Sequence, residues 1–296
     1  KINNKITEDI LYNLTVSNIL GMSASAQNAG KVKNRGWDFN LIHKNMLGDF
    51  SYTIEPKFSI VHNEVLELAG VKKDIGQGLF IGEPLGAIYG FETEGLFVDQ
   101  AEIENYPEQP YGAEPGDLRY KDISGPEGTP DGKVTFEHDR KVIGSTMPNY
   151  TYGMGIMANY KGFDLYIQVQ GEGGNEKMPR RWMYAFRNAG NLQQWQWEER
   201  WTQESPKRHA KYPRLSHIGG GHHYNWNANY WLLNGTFLRI KNIQLGYSLP
   251  PKLIGNTFIN NFRVYISGSN LITFDDYGFP GWDPEMQLYG TYPPAR

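Results

Sequence analysis

The chain has 296 residues, a formal net charge of -3 and no cysteine, with a mean hydropathy of -0.57 and a pI near 6.2. Disulfide staples and thiolate metal sites are therefore excluded, and there is no basic footprint for nucleic acid. No window of about 18 consecutive apolar residues occurs, so a membrane role has to come from strands; the 34 glycines and 14% aromatic content agree with that.

Lys1-Ile2-Asn3-Asn4-Lys5 leads into a polar segment without the apolar core of a secretory signal, which reads as a mature or incomplete chain. Two runs of strict alternation follow. In the first, Trp37, Phe39 and Leu41 alternate with Asp38, Asn40 and Ile42. In the second, Phe50, Tyr52, Ile54 and Phe58 alternate with Ser51, Thr53, Glu55, Lys57 and Ser59. Successive side chains of a strand point to opposite faces, so one face is aromatic and apolar while the other carries Asp, Asn, Glu and Lys. A third pair repeats the pattern, with Tyr150, Tyr152, Met154, Ile156 and Tyr160, then Phe163, Leu165, Ile167 and Val169 against Asp164, Gln168 and Gln170. Tyr152 and Tyr160, near the two ends, suit interfacial girdles.

Strands are predicted at about 36–44, 50–62, 150–160, 163–170, 236–248 and 262–271. In 236–248 the apolar parity changes between Ile240 and Ile243, and a bulge near Lys241-Asn242 restores a single face. The links at 45–49, 161–162 and 250–261 are short, whereas 63–149 and 171–235 are long. Short turns at one end and long loops at the other are the outer-membrane arrangement. The predicted fold class is all-β, an antiparallel transmembrane β-barrel with long extracellular loops at about 63–149 and 171–235. A soluble β-sandwich with one dry face has the same period and is the alternative. Six strands cannot close a barrel around an open lumen, and an open edge in lipid leaves costly unpaired backbone groups, so the chain is expected to be part of something larger.

Four separated motifs carry a family resemblance. The first is Gly82-Glu83-Pro84-Leu85-Gly86 with Tyr89-Gly90 and Gly95-Leu96-Phe97. The second runs from Gly116-Asp117-Leu118-Arg119-Tyr120-Lys121-Asp122 through Asp131-Gly132-Lys133-Val134 and Asp139-Arg140 to Tyr160-Lys161-Gly162-Phe163-Asp164-Leu165. The third is Asn234-Gly235-Thr236-Phe237-Leu238-Arg239-Ile240-Lys241-Asn242-Ile243-Gln244-Leu245-Gly246-Tyr247. The fourth is Ser269-Asn270-Leu271 with Gly281-Trp282-Asp283-Pro284-Glu285. In order and spacing they resemble the carboxy-terminal barrel region of the SusC/RagA family of TonB-linked outer-membrane transporters. That resemblance implies a 22-stranded barrel, of which residues 1–296 are the carboxy-terminal part, with the plug domain, the TonB-contacting segment and the final strand lying outside this chain. It also implies residence in the outer membrane, a SusD-like surface lipoprotein and TonB as partners, and import of an oligomeric nutrient, a glycan or a peptide.

Two constellations invite chemistry. Asp122, Asp131 and Asp139 look like an interrupted Ca²⁺ loop, because Gly125 to Pro130 lengthens the path between the positions of Ser124 and Asp131. A cation-free turn is the favoured reading of these residues, and the 17 acidic against 7 basic residues of 63–149 also suit a solvated loop. Trp182, Trp195, Trp197, Trp201, Trp226 and Trp231 crowd one long loop. Trp195, Trp197, Trp201, Trp226 and Trp231 are the candidates for stacking on sugar faces or gripping a peptide. The bland alternative is that the loop needs its own small core or an apolar patch for a partner. His217, His222 and His223 lack a third ligand at useful spacing, and the adjacent carboxylates Glu198-Glu199 and Asp275-Asp276 point apart on an extended chain. No nucleophile elbow, phosphate loop or dinucleotide fingerprint occurs, so no enzymatic activity is expected. Competing functional readings are a soluble glycan-binding or glycan-cleaving protein and a purely structural outer-membrane subunit.

Overall fold

The computed structural model describes residues 1–13, 26–178, 194–215, 226–255, 259, 261–277 and 283–285. Its frame is one antiparallel sheet of eight strands: β1 (Ile2–Asn13), β2 (Ala26–Asn40), β3 (His43–Leu47), β4 (Phe50–Leu68), β5 (Tyr150–Tyr160), β6 (Phe163–Gly173), β7 (Phe237–Ser248) and β8 (Arg263–Asp275). The order is β1-β2-β4-β5-β6-β7-β8, with β3 also paired to β4. Among the described residues the sheet does not close on itself, and no helix is long and apolar enough to cross a membrane.

The register puts the alternating residues on one continuous apolar face. Trp37 is opposite Ile60 and Phe39 opposite Phe58; Phe58, Ile54 and Phe50 are opposite Tyr152, Ile156 and Tyr160. The row continues through Ile156–Ile167 and Tyr160–Phe163, Ile167–Ile243 and Phe163–Tyr247, and Leu245–Ile266. The other parity carries Asp38 and Ser59, Thr53, Glu55 and Lys57, Asn159 and Asp164, and Gln168 with Asn242. Polar side chains of this face bound a cleft of about 620 Å³ that includes Glu55, Lys57, Gln168 and Gln170. Trp37 is 51% exposed and Ile266 73% exposed, and no second sheet packs on them among the described residues. A sandwich would bury such residues under a second sheet.

The apolar face is graded. From Phe50 to Ile60 it spans ten residue steps of about 3.4 Å, which at a tilt of about 45° gives about 25 Å, the height of a hydrocarbon-facing band. Aliphatic pairs hold the middle and aromatic rings collect at both ends. At the turn end Phe163 and Tyr247 have ring centroids 4.5 Å apart, and Phe50 and Tyr160 6.5 Å apart. At the other end Trp37 stacks near Phe39 at 6.4 Å, and Phe58 near Tyr150 at the same distance. Tyr152 lies over Gly171, where a Cβ would come within 2.6 Å of its ring, and its hydroxyl donates to the Phe237 carbonyl at 2.8 Å.

Several boundaries differ from the sequence reading. The amino-terminal residues, read as a polar segment outside the predicted strands, form β1 on the edge of β2. The strand predicted at 36–44 begins at Ala26 and breaks at Leu41-Ile42. The break faces Pro56: Leu41 N donates to the Pro56 carbonyl at 3.1 Å, but proline has no N–H to complete the pair. Register is kept across the gap, with Asn40 opposite Lys57 and His43 opposite Ile54. β4 runs to Leu68 rather than to 62 because its alternation inverts above the band. Arg35, Lys33 and Lys31 oppose His62, Glu64 and Glu67 on the formerly apolar side, while Val32, Val65 and Leu68 are buried on the other. The bulge expected near Lys241 is present, since Val169 pairs with Ile240 and Gln168 with Asn242, leaving Lys241 unopposed. Past Leu68 and before Phe237 the chain makes two long excursions, 69–149 and 174–236, and both leave the same end of the sheet.

An arginine in the middle of the apolar band should cost about 2 to 4 kcal/mol, against little on the polar face. Ile54→Arg is expected to reduce the heat-modifiable folded form of the full-length protein severely while Thr53→Arg leaves it near normal. Equal losses would mean that both faces are dry.

Candidate functional site

The two excursions fold into one unit. Their shared core takes Ile88, Phe91, Leu96, Leu118, Tyr120 and Val134 from the first and Met178, Trp201, Ala210, Tyr212, Ala228 and Trp231 from the second. Backbone bonds cross between them: Phe91 N donates to Asn227 O, Leu96 N to Arg208 O and Arg214 N to Gly116 O. Asn229 Oδ1 accepts from both Thr93 N and Thr93 Oγ1, at 2.9 and 2.6 Å. Close approach of the two chains demands glycine at one position. A Cβ on Gly90 would lie 2.3 Å from the Asn227 carbonyl oxygen, and Asn227 Nδ2 in turn donates to Tyr89 O.

Charge seals the same interface. Asp117 is 1% exposed and receives Arg214 Nε at 2.7 Å and Nη2 at 3.3 Å, with Glu114 on the third nitrogen at 2.9 Å. Arg208 pairs with Glu102. Burial works against the Glu102 carboxylate, but the Val98 N–H and Arg208 together hold its pKa below the ordinary value. Burial likewise pushes the Tyr230 phenol up, where its hydroxyl donates to Ala210 O at 2.6 Å.

The tryptophans fall into different surroundings. Trp201 and Trp231 are buried in the shared core, and Trp195 and Trp226 pack against it. Trp197 is 54% exposed, with the Arg200 guanidinium 3.5 Å over its ring. Trp182 and the histidines at 217, 222 and 223 lie outside the described residues.

The three aspartates belong to one compact turn. Asp139, fully buried, accepts from the backbone of Ile123, Ser124 and Thr135 and from the Thr135 hydroxyl at 2.6 to 3.2 Å. Asp122 accepts from Gly132 N at 2.7 Å and Asp131 from Lys133 N at 3.0 Å. Among the described residues no three acidic or imidazole side chains gather into a metal-ligating group.

A second aromatic group, built from both excursions, was not legible in the sequence. Phe136 meets Trp226 edge-on at 4.5 Å, Phe91 lies 4.8 Å from Tyr120, and the exposed Tyr111 sits 5.8 Å from Trp226. Arg140 lies against Tyr89 and Phe136. Two cavities meet at Tyr89, Arg140 and Asn227: a cleft of about 860 Å³ that continues to Glu172, Lys177 and Glu285, and a side pocket of about 220 Å³ under Phe91, Phe136 and Trp226. On the polar face beneath, Arg239, 2% exposed, binds Asp283 and Glu285, and Lys241 Nζ reaches Glu285 at 2.6 Å. Burial lowers the Lys177 pKa, with Glu172, Asp283 and Glu285 opposing that shift.

Removing one partner of a buried ion pair leaves the other uncompensated. Arg214→Ala should weaken the docking of the two excursions by about 3 kcal/mol. Native-state proteolysis of the full-length protein should then cut within 69–149 and 174–236 while the barrel strands stay protected. Unaltered cleavage would show that the Asp117–Arg214 pair does not hold the unit together.

No family model matches the chain. Over 98% of its length it is 27% identical to TonB-dependent receptor P3 of Formosa agariphila, covering 30% of that protein. Over 97% it is 28% identical to TonB-dependent receptor P26 of the same organism, covering 29%. The chain thus spans less than a third of these relatives. Among solved structures, the RagAB peptide transporter superposes with a TM-score of 0.72 at 21% identity, over 93% of this chain and 29% of that one. The RagAB importer in its open-open state gives 0.70 at 23% identity over the same shares. Over nearly its whole length this chain is thus similar in sequence to TonB-dependent receptors, and its fold matches part of the RagAB transporter.

Proposed function

We propose that this chain forms part of the wall and mouth of an outer-membrane receptor that imports an oligomeric nutrient under TonB control. The observation that carries the reading is the two-faced sheet. A band about 25 Å tall with aromatic ends suits lipid, and the opposite polar face suits a wet lumen. The unit built from 69–149 and 174–236 stands on the extracellular side in this reading, because the opposite ends of the strands are joined by turns such as Lys161-Gly162.

A SusD-like lipoprotein covers that unit, and Trp197 with its stacked Arg200 is the patch offered to it or to cargo. The cargo is a peptide or a glycan; the likeness to the RagAB peptide transporter favours the former. TonB acts through parts of the receptor outside this chain.

Deletion of the full-length gene should abolish growth on one defined oligomer as sole nutrient, and restoration should require both the receptor and an active TonB system. Growth on every such oligomer after deletion would refute import. Trp197→Ala should leave surface levels normal and weaken lipoprotein capture or cargo uptake about tenfold, as loss of an exposed aromatic anchor does. Trp201→Ala, by contrast, should lower the protease resistance of the unit itself through the cavity it leaves. The reverse pattern in the two variants would remove Trp197 from the contact surface.

A further inference from the structure

We propose that Arg140 anchors a carboxylate-binding pocket, and that the imported oligomer carries a carboxylate that docks there. The inference deepens the import reading and rests on it.

Arg140 opens the short strand 140–145, opposite Phe91 of strand 87–91. Its Nε donates to the Phe136 carbonyl at 2.7 Å. Its guanidinium carbon is 5.2 Å from the Tyr89 ring centroid and 5.4 Å from that of Phe136. Ring contacts and the Nε bond fix the plane of the group, leaving the two terminal nitrogens, which make no hydrogen bond or ion pair with any described residue. A planar guanidinium held in place with its fork open is the protein's usual means of binding a carboxylate in two-point fashion.

Neighbouring acids are already committed. Glu92 pairs with Lys141 and Lys121, Glu94 with Arg119, Glu102 with Arg208 and Asp117 with Arg214. Two acids line the same cleft: Glu285 is held by Arg239 and Lys241, and Glu172 accepts from Asn175 Nδ2 at 3.2 Å; neither forms an ion pair with Arg140. Arg140 also lines both the 860 Å³ cleft and the 220 Å³ side pocket. The larger lies in the size range of ligand sites. The smaller, roofed by Phe91, Phe136 and Trp226, offers apolar ring faces beside the cation, room for one residue of the oligomer.

A peptide terminus and a uronic acid both supply the required group, and the test separates them. The full-length receptor in detergent is titrated calorimetrically with tetra-alanine and its carboxy-terminal amide, and with tri-galacturonate and its methyl ester. One acid is expected to bind about tenfold more tightly than its neutral counterpart. Arg140→Gln should erase that difference, and Arg140→Lys, which keeps the charge without the fork, should keep part of it. The wild-type comparison stands even if Arg140→Gln fails to fold. Equal binding of acid and neutral members of both pairs, binding of neither, or an acid preference that survives in Arg140→Gln would overturn the assignment. In those cases the growth phenotype of the deletion still decides the import reading separately.

Discussion

In hydrocarbon every strand N–H and C=O has to be satisfied by a neighbouring strand, because no water is there to take its place. This constraint organises the sheet. It forbids a free register, since a one-residue slip would turn the whole apolar row toward the lumen. The Lys241 bulge is the local answer, because without an extra residue Ile240 and Ile243 could not share a face with Val169 and Ile167. Pro56 departs from the constraint, lacking an N–H, and interrupts β2 and β3 without shifting their register. Above the band the constraint relaxes and the alternation inverts, with charged pairs outside and Val32, Val65 and Leu68 inside, covered by residues such as Leu79 and Leu85.

The unit on top of the sheet is governed by different physics. Each excursion contributes to a core that the other completes. Most of the tryptophans are absorbed by that requirement, which leaves Trp197 and the Tyr111–Phe136–Trp226 group as the ring surfaces nearest solvent. The polar equivalents follow the same division, since Arg214 and Arg208 bind acids of the opposite excursion whereas the Arg140 fork is left open.

The strands that cross the band were legible because their parity holds from Phe50 to Ile60 and, but for Met157 on the polar face, from Tyr150 to Tyr160. Where the environment changes, that signal fails: the upper part of β4 reads as loop because its polar residues take over the outer face, and β1 hides because Asn3, Asn4 and Lys5 dilute Ile2 and Ile6. The tryptophan cluster was visible as a cluster, but not its distribution between core and surface. Phe91, Tyr120 and Phe136 stand about a hundred residues earlier in the chain, and no local period reports such contacts. The aspartates show the same limit, since their spacing marks a turn but cannot tell that backbone amides would fill Asp139.

Joining the excursions through contacts such as Asn227 to Tyr89, 138 residues apart, has a kinetic consequence. Contact order in this unit is high, and closure of so long a loop is costly before any native contact rewards it. The intervening β5–β6 hairpin shortens the effective loop by bringing Tyr150 opposite Gly173. This topology favours an order in which the hairpin zips before residues 87–91 find Asn227. Until that moment Phe91, Trp201 and Trp231 are unburied, so the interval between hairpin formation and docking of the excursions is when the chain is most exposed to aggregation and most in need of a holdase.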